Sequence, residues 1–157
     1  MKKHKIILLI IFSVLFSSCG FKPLIQKNNN IIYIQDINVI AERKIAYTLK
    51  NNIKLISNTN SKNKYNVEIK VEKNKSNKIK DGTGKVIRYN ISLTTNLELI
   101  NLDNNNKLTR TFVRSGDYNV ATIHSQTIIN EKNILKIIIQ QITDDIINFI
   151  TFTVIDK

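Results

Sequence analysis

Residues 86–99 read VIRYNISLTTNLEL. Successive side chains of a β-strand point to opposite faces, so strict two-residue alternation marks a strand with one buried face. Here Ile87, Tyr89, Ile91, Leu93, Leu97 and Leu99 share one face, with Thr95 among them. Arg88, Asn90, Ser92, Thr94, Asn96 and Glu98 share the other. Such a stretch is long for a strand. It predicts the middle of a sheet that is apolar on one side and polar on the other.

Working outward, residues 65–73 (YNVEIKVEK) repeat the pattern, with Tyr65, Val67, Ile69 and Val71 against Asn66, Glu68, Lys70 and Glu72. The segment 74–85 (NKSNKIKDGTGK) is polar and basic. It reads as a connection whose turn is marked by Asp81-Gly82, because glycine accepts positive φ without a steric penalty. On the other side, Asp103-Asn104-Asn105-Asn106 marks a turn, and 107–115 reads as a fourth strand. Its phase is unclear, because Leu108 and Phe112 share a face with Arg110 and Arg114. A bulge, or arginines at exposed ends, would reconcile the two.

Residues 31–39 (IIYIQDINV) are β-branched and partly alternating, which predicts a first strand. Residues 41–56 place Ile45, Leu49, Ile53 and Ile56 at helical spacing, with Arg43, Lys44, Lys50, Asn51 and Lys54 on other faces. Residues 116–128 read as irregular, with a helix starting at most near their end. Asn130 is placed to cap a helix over 131–149, in which Ile134, Ile138, Ile142, Ile146 and Phe149 form a stripe widened by Leu135, Ile139 and Ile150. Glu131 in its first turn suits the helix dipole. The expected fold is α+β, in the order β-α-β-β-β-α: a four-stranded mixed sheet with two helices packed on one face and the polar face open.

The chain has 157 residues, with 24 Lys+Arg against 12 Asp+Glu and a formal charge of +12. That length accommodates one domain. Ile (30), Asn (22) and Lys (20) dominate the composition, a skew that codon usage in an AT-rich genome produces on its own. It weakens any step from net charge to nucleic acid, which is not an expected partner.

The N-terminus predicts a location outside the cytoplasm. Met1-Lys2-Lys3-His4-Lys5 is basic, residues 6–16 are apolar apart from Ser13, and Ser17-Ser18 precede Cys19, the only cysteine. The apolar run is shorter than the roughly 20 residues a spanning helix needs, so it reads as a signal peptide over 1–18. Phe16-Ser17-Ser18-Cys19 looks like a bacterial lipobox, with Phe16 at the position usually held by Leu. In that reading the Cys19 thiol carries a thioether-linked diacylglycerol, residues 19–30 are a lipidated tether and 31–157 a single domain. An ordinary cleavable signal is the plainer alternative. Gly20 after the cysteine, rather than Asp, favours the periplasmic face of the outer membrane, by resemblance to bacterial lipoproteins.

No catalytic constellation is present, so the expected protein is not an enzyme and holds no cofactor or metal. His4 lies in the signal peptide, His124 is isolated, Gly82-Thr83-Gly84 reads as hairpin turn, and the adjacent Asp144 and Asp145 diverge on a helix. The informative cluster is basic. Lys73, Lys75, Lys78, Lys80, Lys85 and Arg88 lie close together, with Asp81 the one acid within their span. Outside the cytoplasm such cations meet anionic lipid headgroups and phosphorylated glycolipids. A solvated turn inflated by the lysine-rich composition is the alternative.

Cys19-Gly20-Phe21-Lys22-Pro23-Leu24 resembles the Cys-Gly-Phe-x-Pro-Leu start of the lipopolysaccharide-assembly lipoprotein family, LptE, particularly its alphaproteobacterial members. Ile31-Ile32-Tyr33-Ile34 ahead of the first helix, and Tyr118-Asn119-Val120-Ala121 ahead of the long last one, extend the resemblance over 19–157. Ile25 stands where the family commonly has Tyr. The resemblance implies two helices on a four-stranded sheet, and a non-enzymatic plug inside a large outer-membrane β-barrel of the LptD type. Such a plug helps assemble the barrel and binds lipopolysaccharide in transit. A structural outer-membrane lipoprotein that binds peptidoglycan or anionic lipid is the alternative expectation.

Overall fold

The element order is β1 (Tyr33–Ile40), α1 (Arg43–Lys54), β2 (Lys64–Lys80), β3 (Val86–Asn101), β4 (Lys107–Asn119) and α2 (His124–Ile155), the expected β-α-β-β-β-α. The computed structural model describes residues 32–155; the expected signal peptide (1–18), Cys19 and the expected tether (19–30) lie outside the described residues.

The strands form one sheet in the order β1-β2-β3-β4. β1 runs parallel to β2, and the other two pairings are antiparallel. A parallel pair needs a crossover, and α1 supplies it. Both helices join the core on the same side of the sheet. Tyr65, Val67, Ile69 and Val71 of β2 and Ile91, Leu93, Leu97 and Leu99 of β3 are buried. Above them lie Ile45, Leu49 and Ile53 of α1 and Ile138, Ile142, Ile146 and Ile150 of α2, also buried. Burying each such side chain fully contributes about 1.5–3 kcal/mol. The alternation therefore placed the core correctly from Tyr65 to Val71 and from Ile91 to Leu99, while Ile87, on the same face but beyond the helices' cover, is exposed. Thr95 sits within it, fully buried, and its hydroxyl has no hydrogen-bond partner among the described residues. By length and composition α2 is apolar enough to cross a bilayer, but its buried isoleucines are those that complete this core.

Three expectations need correction. First, 74–80 is not a loop: β2 continues to Lys80, laddered against β3 with a register shift only near Ile79. Its side chains from Asn74 onward are exposed. Backbone pairing holds this half, so its sequence carries no apolar alternation to read. Second, β4 runs on to Asn119, and α2 begins at His124 rather than 131. Asn130 is therefore inside the helix and caps nothing; its amide donates to the Asn119 carbonyl (3.1 Å). Third, the phase conflict in β4 involves neither a bulge nor terminal arginines. The β3–β4 register is unbroken from Arg88↔Asn119 to Ile100↔Lys107. Leu108, Arg110, Phe112 and Arg114 share the helix side of an edge strand. Phe112 packs edge-on to Phe149 with ring centroids 6.1 Å apart. Arg114 reaches Asp145 of α2 through two bonds of 2.7 Å.

Candidate functional site

The antiparallel ladder spreads the six basic residues of the predicted site along the hairpin half of the sheet, from Lys73 opposite Leu93 to the turn, on different faces and with different partners. Lys73 and Lys75 continue the buried phase of β2, opposite Leu93 and Ile91. There each finds a carboxylate from another element. Lys73 Nζ lies 2.7 Å from Glu42 Oε1, just before α1. Lys75 Nζ lies 2.8 Å from Glu131 Oε2 on α2, and over the Tyr89 ring at 4.5 Å from its centroid. Tyr118, stacked on Tyr89 at 5.5 Å, donates its hydroxyl to the same Glu131 oxygen (2.7 Å).

This cluster shifts the titration of its members. Burial alone would lower the Lys75 pKa, but its bonds to Glu131 and Tyr118 outweigh burial and raise it. The Lys75 hydrogen bond, with smaller help from Tyr118, holds Glu131 below the usual carboxylate range. Burial pushes the Tyr118 phenol up.

On the open face Lys78 pairs with Asp117 of β4, which also accepts from the Asn90 amide (2.7 Å). The Asn90 bond, then the Lys78 bond, draws Asp117 below its ordinary pKa. Arg88 Nε donates to Asn119 Oδ1 (2.8 Å). Lys80 and Lys85 flank the hairpin turn. Its one acid, Asp81, is occupied by the turn itself, accepting from the Thr83 hydroxyl (2.6 Å), Thr83 N–H and Lys85 N–H. The Thr83 hydroxyl above all lowers the Asp81 pKa. Gly84, at φ 83°, closes the turn where a side chain would be strained.

The predicted cluster thus separates. Lys73, Lys75 and Lys78 are internal counter-ions. Lys80, Lys85 and Arg88 form no ion pair among the described residues. Sequence reasoning missed Glu42, Glu131 and Asp117 as their partners. These contacts span 31 to 56 residues of chain, and no local pattern signals them.

The helix-free face is mostly neutral and polar. Asn74, Ser76, Ser92, Thr94, Asn96, Thr109, Thr111 and Ser115 spread across β2, β3 and β4, as the ladder registers require. A trough of about 400 Å³ lies on this face, between Asn38, Ile40, Glu68, Asn96, Glu98 and Thr111. Glu68 stands opposite Glu98 across the ladder. Lys107 lies 2.6 Å from Glu98, and that bond raises the lysine pKa. Among the described residues no three His, Cys, Asp or Glu side chains converge as metal ligands. His124 is exposed at the start of α2.

No protein-family model matches the chain, and no curated protein matches it. Solved structures do resemble its fold. The crystal structure of rare lipoprotein B from Shewanella oneidensis superposes with a TM-score of 0.61 at 12% identity, over 77% of this chain and 97% of that one. The solution structure of an uncharacterized lipoprotein B from Nitrosomonas europaea gives a TM-score of 0.61 at 15% identity, over 86% of this chain and 93% of that one. At such identities the likeness establishes the fold: an α+β domain of the kind these lipoproteins have, spanned over nearly their whole length.

Proposed function

We propose that this protein is a lipoprotein anchored through Cys19 to the periplasmic face of the outer membrane. There it assembles with a large β-barrel of the LptD type and binds lipopolysaccharide during its insertion. The observation that carries the reading is the Cys19-Gly20-Phe21-Lys22-Pro23-Leu24 start joined to the β-α-β-β-β-α fold. The fold likeness to rare lipoprotein B supports it.

The open sheet face fits the role physically. A barrel lumen is polar, so its occupant needs a polar outer surface around an ordinary core. The Ser/Thr/Asn face of β2, β3 and β4 is such a surface. An acylated Cys19 keeps the domain in the plane of its partner, which raises their effective concentration. Lys80, Lys85 and Arg88 are cations available to the phosphates of a glycolipid, which lysine engages as a point charge and arginine through its planar fork.

Copurification tests the proposal. Tagged protein extracted in mild detergent is expected to bring down a large β-barrel and lipopolysaccharide. An extract in which the tag retains neither overturns the reading, and recovery with the cell-wall sacculus instead supports the peptidoglycan alternative.

A further inference from the structure

The turn of the β2–β3 hairpin, the start of β3 and the first turns of α2 meet at one end of the sheet. Arg88 pairs with Asn119, and the Val120 N–H donates to the Ile87 carbonyl (3.0 Å), so the segment leading into α2 lies beside the hairpin. This end gathers Ile79, Ile87, Ile123, Ile128 and Ile129, all exposed, with Ile123 at 68%. Lys80 and Lys85 stand at the same end and form no ion pair among the described residues; Arg88 hydrogen-bonds to the neutral Asn119 amide and lies within the field of Asp117, which Lys78 already pairs. The end is both apolar and cationic.

We propose that this end is a docking surface for an anionic phospholipid bilayer, in which the isoleucines enter the headgroup–acyl boundary and Lys80, Lys85 and Arg88 face lipid phosphates. The side-chain chemistry favours lipid over protein. The cores of protein interfaces are depleted in lysine, and their anchors are Trp, Tyr and Arg. Here the apolar members are isoleucines and two of the three cations are lysines. Interfacial binding instead needs apolar side chains beside lysine, with attraction to anionic headgroups.

Position gives the surface its consequence. β1 is parallel to β2 and starts opposite Lys64, so the chain enters the domain at the far end of the sheet. The 17 residues of β2 separate the two ends by about 55 Å, at roughly 3.3 Å per residue. An anchor upstream of β1 and a lipid contact at the hairpin would hold the domain at two remote points and fix its orientation. The lipid contact does not depend on acylation or on a barrel partner.

The test uses the full mature chain with Cys19→Ala, so that no acyl group contributes, and vesicles of phosphatidylethanolamine and phosphatidylglycerol against pure phosphatidylcholine. Cosedimentation is expected with the anionic vesicles and to weaken with salt. Each lysine near such a surface is worth about fivefold in affinity. Lys80→Glu with Lys85→Glu is therefore expected to lower binding more than tenfold, and Ile87→Ser with Ile123→Ser several-fold. Lys50→Glu with Lys54→Glu on α1 makes the same charge change elsewhere and is expected to cost less than twofold. Equal losses from both charge pairs, or tip variants that bind like the parent, overturn the proposal.

A second readout places the contact. An environment-sensitive dye on Ile123→Cys should shift to the blue on vesicle binding, and one on Thr59→Cys at the opposite end should not; the reverse pattern overturns the assignment. Binding to lipopolysaccharide micelles with none to phospholipid vesicles reassigns the surface to the glycolipid and likewise overturns it.

Discussion

Glu131 shows how a single residue changes meaning between sequence and fold. Its place near a helix start suggests a partner for the helix dipole, yet the helix begins seven residues earlier, and the carboxylate serves Lys75 and Tyr118 instead. Because the folded pKa of Glu131 is depressed, chiefly by the Lys75 hydrogen bond, its contribution to stability is full above the unfolded value near 4.5. That contribution is lost as pH falls through the folded pKa. Glu131→Gln is expected to lower stability at pH 7 by about 1 kcal/mol, the scale of a partly exposed ion pair. Urea unfolding at pH 7 and pH 3 checks this: the gap between parent and variant should narrow at the lower pH. A gap that stays constant would mean that the carboxylate's charge contributes nothing. The legibility of the site follows the same division. Lys80 and Lys85 could be read as tip cations because Asp81-Gly82 announced the turn between them. Lys73, Lys75 and Lys78 could not be read as internal, because their carboxylates come from α1's approach, α2 and β4.

At the scale of elements, the sequence is legible wherever a side-chain period reports burial. β2 and β3 are plain over their buried halves, and α1 is plain from Ile45, Leu49 and Ile53. Legibility fails where an element outruns the core. The distal half of β2 is strand by backbone pairing alone, and β4 interleaves Arg110 and Arg114 with Leu108 and Phe112 on one face. Inward-pointing charges on an edge strand hinder further pairing along that edge, which explains a pattern that looks out of phase. β4 passes close beneath α2 at Gly116. A Cβ there would lie 2.6 Å from Ile134 Cγ1 and 2.8 Å from its Cδ1. Gly116→Ala therefore forces Ile134 to shift, and overpacking of this kind costs about 1–3 kcal/mol. The loss should appear as a lower urea midpoint, and pairing the change with Ile134→Val, which removes the Cδ1 methyl, should recover part of it. A Gly116→Ala protein as stable as the parent would show that α2 rides on β4 more loosely than its geometry indicates.

For the whole molecule, the charge of +12 loses its simplest meaning. Three lysines of the hairpin are neutralised internally, and Lys70, Lys107 and Arg114 are likewise paired. The open sheet face is left neutral over a wide area. A neutral polar face tolerates substitution without loss of folding, because among the described residues both helices pack on the other face. Thr111 is exposed there, and its hydroxyl donates to the Asn96 side chain (2.8 Å). Ser92 and Thr94 lie on the same side of β3. Thr94→Lys with Thr111→Glu introduces bulk and charge while leaving the core untouched. Thr111 is exposed and Thr94 half-buried on this side, so each change should alter stability by no more than about 1 kcal/mol. If this face lies against the polar wall of a barrel, the double variant should fold, reach the membrane and lose most of its copurifying barrel, since an interface built on neutral hydrogen bonds leaves introduced charges desolvated. The control is Lys50→Glu with Lys54→Glu on α1, which makes a larger charge change on the helix side and should leave barrel recovery unchanged. Loss in the control alone would transfer the barrel contact from the sheet to the helices. Loss in the sheet variant alone would assign the polar face its role: the surface that meets the partner, on a domain whose opposite face is closed by its own two helices.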